Sequence, residues 1–233
     1  MISENRRMIN LKGYLFDTHI HTKEASSCGE VPAAEVVKRY KSLGYSGIIV
    51  TDHVHAAQFA KHGSTYKEQA EKYLSGYRTA KAFEDENFKV ILGMEIRFLE
   101  NDNDYLLYGF DEDFVFSRDL AHFESLEAFK PVVEENNLII FQAHPFRRHM
   151  TIINPALVDG IEVYNGHGNH NSSNDIAYAW AVKYSLPMLS GSDFHGNTEM
   201  EPGGVYFEEY VNDSKAVAQA LRDKKYTLKC YQK

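Results

Sequence analysis

Tyr14-Leu15-Phe16-Asp17-Thr18-His19-Ile20-His21 runs from an apolar, strand-like segment into two histidines spaced two apart. The chain then turns helical. Pro32 opens a pattern carried by Val36, Val37, Tyr40 and Leu43, and Gly44 closes it at the usual C-terminal position. Gly47-Ile48-Ile49-Val50-Thr51 follows as a buried strand, so this opening unit reads strand, helix, strand. Strand side chains repeat with period two, which turns His19 and His21 toward the same side.

The alternation continues. Tyr66 to Phe83 reads as helix, and Val90 to Phe98 as a strand that Asn101, Asp102 and Asn103 turn back into Tyr105 to Tyr108. Leu126 to Asn136, Ser173 to Tyr184 and Ser214 to Lys224 read as helices; Leu138 to Ala143, Gly160 to Tyr164, Pro187 to Ser190 and Val205 to Phe207 read as strands. About seven such units in one α/β domain favour a TIM-like closed or nearly closed barrel of parallel strands over a doubly wound sheet. No G-x-G-x-x-G turn is present to support the latter. The chain of 233 residues is expected to be one domain, with its core over 14–228.

A formal net charge of −8 repels phosphodiester backbones and anionic membranes, so long nucleic acid and membrane partners are not expected. Met1 to Asn10 is polar, carries Arg6 and Arg7, and lacks the apolar core of an export signal. No apolar run is long enough to span a bilayer. The expected location is cytoplasmic, with Cys28 and Cys230 as reduced thiols. The abundant Tyr and Phe fall at core spacings, which argues against base-stacking surfaces.

Four strand-like runs end in metal-binding side chains: His19 and His21, Asp52-His53, His144-Pro145, and Asp193-Phe194-His195. Active sites of α/β barrels are assembled at the carboxyl ends of their strands. Imidazoles mixed with carboxylates suit zinc, manganese or iron better than magnesium or calcium.

In this order, and with Gly93-Met94-Glu95 between the second and third, these motifs closely resemble the polymerase and histidinol phosphatase (PHP) superfamily over Tyr14 to Gly196. The resemblance implies a distorted seven-stranded (β/α) barrel holding two to three divalent transition metals. It implies a first metal on His19, His21, Glu95 and Asp193, with Glu95 bridging to a second that also uses His144. Family members commonly place a further histidine in the hairpin after Glu95, and this chain has none. Asp104, expected to fall across the hairpin from Glu95, is the candidate there, and Asp111 the fallback. The third metal of similar proteins uses His53, His195 and an acidic or histidine residue after the first motif. Glu24 is the candidate, with Glu30 or Ser27 as alternatives. His55 and His167 are expected to contact substrate.

Two metals about 3.5–4 Å apart on a bridging carboxylate lower the pKa of a shared water from about 15.7 toward about 7, giving hydroxide to attack phosphorus. Arg147 is the candidate phosphate clamp, Asp52 the residue that orients an imidazole or shuttles a proton, and Asn165 a substrate contact. The expected activity is hydrolysis of a small phosphomonoester, histidinol phosphate among the candidates; the phosphate comes from the resemblance. The alternatives are a nuclease or cyclic phosphodiester hydrolase, an amidohydrolase-like C–N hydrolase, and a catalytically silent metal-binding domain.

Overall fold

Strand β1 (Tyr14–Ile20) is buried from Leu15 to its end, as a strand covered on both faces must be. Helix α1 (Ala33–Ser42) buries Ala33, Val36, Val37 and Tyr40 along one stripe. Strand β2 (Gly47–Val50) leads to a short β3 (His53–Val54) and a one-turn α2 (Ala56–Phe59). Helix α3 (Tyr66–Lys81) starts at a capping box in which Thr65 and Glu68 satisfy each other's backbone N–H. Next come β4 (Lys89–Leu92), β5 (Met94–Arg97), β6 (Asp104–Tyr108), α4 (Glu112–Ser117) and α5 (Leu126–Glu135). The remaining elements are β7 (Ile139–Gln142), β8 (Gly160–Asn165), α6 (Asn174–Tyr184), β9 (Met188–Gly191), β10 (Gly204–Phe207), α7 (Ser214–Arg222) and β11 (Tyr226–Lys229). The computed structural model describes residues 13–196 and 202–230; Met1 to Asn10, read above for export, lies outside them.

The strands form a five-stranded sheet, β11-β10-β1-β2-β4, and a six-stranded sheet, β3-β5-β6-β7-β8-β9. The pairs β1–β2, β2–β4, β3–β5, β7–β8 and β8–β9 are parallel. Strand β6 runs antiparallel to both neighbours and β10 to β1, so the sheets are mixed rather than uniformly parallel. The hairpin accounts for the first reversal.

Val90 to Phe98 is not one strand. The chain leaves the first sheet at Gly93 and enters the second as β5. A Cβ at Gly93 would lie 2.8 Å from Ile49 Cγ2, so only glycine lets the backbone pass this close to β2. Elements too short for a periodic signal, namely β3, α2 and α4, were not anticipated, nor was β11.

Phe16, Ile49 and Ile91 of the first sheet share one buried cluster with Leu106, Phe141 and Leu189 of the second. The sheets also meet directly where Thr18 Oγ donates to Ser190 O at 2.9 Å and Ile20 bridges Phe194 in parallel. Helices α1 and α3 pack outside β1, β2 and β4. A larger cluster under Tyr73, Phe98, Phe129 and Ala181 covers the outside of the second sheet. No helix among the described residues is long and apolar enough to cross a membrane.

Candidate metal centre

Glu95 sits on β5, fully buried, with imidazoles on both of its oxygens. Oε1 lies 3.2 Å from His19 Nε2 and 3.1 Å from His144 Nε2. Oε2 lies 3.2 Å from His21 Nε2 and 2.9 Å from His53 Nδ1. Asp193 Oδ1 completes the inner group at 3.4 Å from His19 Nε2 and 3.3 Å from His21 Nε2. His53 is in register with Glu95 because β3 pairs with β5, and His19, His144 and Asp193 arrive at the ends of β1, β7 and β9.

The cluster fits cations. His19 Nε2, His21 Nε2, His53 Nδ1 and Glu95 Oε2 are buried with no hydrogen-bond partner, although all face one another. Buried donors and acceptors left unmatched are costly unless something else binds them. Converging imidazole and carboxylate donors are what a divalent transition metal requires.

The electrostatics agree. Burial alone would raise the Glu95 carboxyl, but charge on His19 and His53 holds it well below the usual carboxylate range. Asp193 is likewise held far down against burial by His19, Arg147 and His195. Burial works against charge on His19, yet Glu95, Asp193 and Glu162 lift its pKa well above the ordinary value. The anionic pair thus creates a field that favours positive charge at its centre. His195 is pushed down to about 3 by burial and by the charge on His21, which keeps it neutral and able to ligate.

Backbone geometry serves the same residues. His144 and Asp193 take left-handed conformations, with φ of 28° and 51°, directly after their strands. Non-glycine residues adopt such φ values uncommonly; elsewhere in the described residues Asn137, Ser185 and Lys224 do so just after helices. Gly191 lies against the first histidine: a Cβ there would come 2.5 Å from His19 Cβ and 2.9 Å from Glu162 Oε1. Gly191→Ala is expected to lower both the thermal midpoint and the metal content, because His19 and Glu162 have to move. An unchanged metal stoichiometry would rule out this reading of Gly191.

Sequence reasoning missed Glu162. Its carboxylate accepts the His19 Nδ1–H at 3.0 Å, the His144 backbone N–H at 2.9 Å and the Asn165 amide at 2.9 Å. It therefore fixes the tautomer that leaves His19 Nε2 free to ligate. A charged residue in the middle of the otherwise buried strand Gly160–Asn165 was the available signal.

Asp52 does not touch an imidazole. It accepts from Thr22 N–H and Oγ–H, both at 2.7 Å, and from Ser26 Oγ at 2.6 Å. Ser26 Oγ in turn lies 3.3 Å from His21 Nδ1, so Asp52 acts on the histidine through Ser26. Asp17 ties β1 to the end of β9 by accepting from the Ser192 N–H and hydroxyl.

Several expectations need correction. Glu24 is outside the cluster: its carboxylate accepts the Ala33 N–H at 3.0 and 3.1 Å and caps α1. Glu30 and Ser27 are exposed, whereas Cys28 belongs to a group with His21, His53 and His195. In the hairpin, Leu106 stands opposite Glu95 and Asp104 opposite Arg97. The connection is longer than a two-residue turn, which shifts the register. Asp104 still reaches the cluster diagonally, beside His53 and Glu95 and 3.9 Å from His144 Nε2. Arg97 already holds it through two hydrogen bonds of 2.8 and 2.7 Å. Asp111 caps α4 and pairs with Lys215 on the surface, away from the cluster.

Arg147 donates to Asp193 Oδ2 at 2.6 Å, to Asn165 Oδ1 at 3.0 Å and to Ser172 Oγ at 3.2 Å. Asn165 thus links Arg147, Glu162 and Asp193 rather than projecting freely. The His167 ring lies 5.1 Å from that of His195, and burial lowers its pKa to about 4. His55 accepts from Gln58 N–H to cap α2, with its ring 5.7 Å from His53.

Residues 17–200 match the model of the PHP domain. No curated protein matches the sequence. Among solved structures, PsfC from Pseudomonas syringae PB-5123 is similar at 18% identity and a TM-score of 0.66, covering 90% of this chain and 88% of that one. A two-domain protein from Bacteroides vulgatus, containing a predicted PHP-like metal-dependent phosphoesterase, is similar at 16% identity and 0.62, covering 94% and 65%. The lesion-specific endonuclease PfuEndoQ from Pyrococcus furiosus is similar at 16% and 0.59, covering 92% and 57%. At such identities these structures share the fold. The chain belongs to the PHP family, whose domain model spans most of its length.

Proposed function

We propose that the chain hydrolyses a small phosphomonoester, with histidinol phosphate one candidate. The convergence of His19, His21, His53 and His144 on the two oxygens of Glu95 is the observation that carries this reading. Within it, His19, His21, Glu95 and Asp193 form the first metal position, and Glu95 and His144, with Asp104 at the edge, the second. His53 and His195 contribute to a third. Bound zinc, manganese or iron would acidify a water and neutralise charge developing on the phosphate. Glu162 keeps His19 Nε2 turned inward, and Asp52 holds the loop of His21 through Ser26. Arg147 sits beside Asp193 with donors in a planar fork suited to non-bridging phosphate oxygens. His55 and His167 line the approach. The shared interior of the two sheets supports a distorted seven-stranded barrel of one domain beneath this site.

The net charge of −8 favours a small ester over a long polynucleotide. Turnover on a panel of phosphomonoesters, phosphodiesters and short oligonucleotides with metal present decides between them. Preferential cleavage of a monoester supports the proposal; cleavage of oligonucleotides alone would replace it with a nuclease. Arg147→Ala is expected to raise KM for a phosphomonoester about ten- to a hundredfold, the size of a lost charge-assisted hydrogen bond, with metal content intact. An unchanged KM removes Arg147 from the phosphate site.

A further inference from the structure

We propose that Cys28 supplies a thiolate to the outer cation position beside His53 and His195, making it a sulfur–nitrogen site that selects zinc over manganese. The proposal rests on the metal-dependent reading above and assigns a donor that the order of motifs did not indicate. Cys28, His21, His53 and His195 each present a ligand-type atom, all within 4.8 Å of one another. Among the described residues it is the one such group that contains sulfur; the groups around Glu95 offer nitrogen and oxygen alone.

The loop brings Cys28 in by its own hydrogen bonds. Ser26 N–H donates to Thr22 O and Gly29 N–H to Ser26 O, which folds the segment after His21 back on itself. Glu30 N–H then donates to His195 O at 2.8 Å and ties the loop to the segment after β9. The His21 ring lies 4.4 Å from that of His53 and 4.3 Å from that of His195, which are themselves 6.2 Å apart, so the three imidazoles form one compact cluster. His53 Nδ1 faces Glu95 Oε2 at 2.9 Å, and His53 belongs both to the group with Cys28 and to the group with Glu95, so the outer position adjoins the Glu95 cluster.

The donor type decides the ion. Thiolate with imidazole suits zinc, whereas manganese and magnesium prefer oxygen-rich sets. The outer position therefore discriminates more sharply than the positions around Glu95. Because Cys28 is exposed, its sulfur is open to alkylation whenever no ion covers it.

Cobalt(II) titration of the metal-free full-length chain, followed by absorption, tests this. A near-ultraviolet sulfur-to-cobalt charge-transfer band is expected, and Cys28→Ser should abolish it while visible ligand-field bands from the other positions persist. Alkylation of the unmutated protein with iodoacetamide, read by mass spectrometry, needs no variant. Zinc should protect Cys28 and manganese should not, with Cys230 modified in both cases. Ligand-field bands without the charge-transfer band, or equal alkylation of Cys28 with and without zinc, would overturn the thiolate assignment and leave the phosphoesterase reading standing. Failure to bind cobalt at all would overturn both.

Discussion

Glu95→Gln is expected to lower phosphomonoester turnover by roughly two to three orders of magnitude, the equivalent of several kcal/mol of metal-borne charge stabilisation. The substitution keeps the shape of the side chain but removes its charge and replaces one acceptor oxygen by a donor NH2. Oε1 faces His19 and His144 and Oε2 faces His21 and His53, so either orientation of the amide sets a donor against a pair of imidazoles. Metal content should fall together with turnover, while circular dichroism stays native because Glu95 contributes no cap or core packing. Full activity in this variant would exclude Glu95 as a shared ligand.

Glu162→Gln is expected to weaken metal affinity about 10- to 100-fold, the usual effect of losing the carboxylate behind a ligating histidine. The Glu162 carboxylate is the acceptor for His19 Nδ1–H and for the His144 backbone N–H, so an amide there leaves one of these donors facing another donor. Glu162 acts through His19, and excess metal should restore most of the turnover. A purely structural role would instead lower the thermal midpoint without a change in the metal dissociation constant. Equal metal affinity in both proteins would remove Glu162 from the account.

The motifs at strand ends were legible because each follows an apolar run that stops at the edge of a sheet. His19, His21, His53, His144, Asp193 and His195 all fall at such stops, and the structure brings them together around Glu95. The hairpin partner was not legible. Its register depends on the conformation of 98–103, and one longer connection moved Asp104 from Glu95 to Arg97. Arg97 itself, a cation inside an apolar strand, gave no hint of its partner. Glu24 and Cys28 lie four residues apart in one loop, and only the hydrogen bonds that fold this loop decide which reaches His53 and which caps α1. The apolar run over 90–98 places Gly93 inside a strand, although the backbone changes sheets there.

The most direct measurement takes metal content and phosphomonoesterase turnover on one sample, before chelation, after it, and after reloading with zinc, manganese or iron. More than a single divalent ion per chain, loss of turnover on stripping and recovery on reloading are predicted. Turnover that survives complete removal of metal would contradict the central claim that this cluster works as a metal centre.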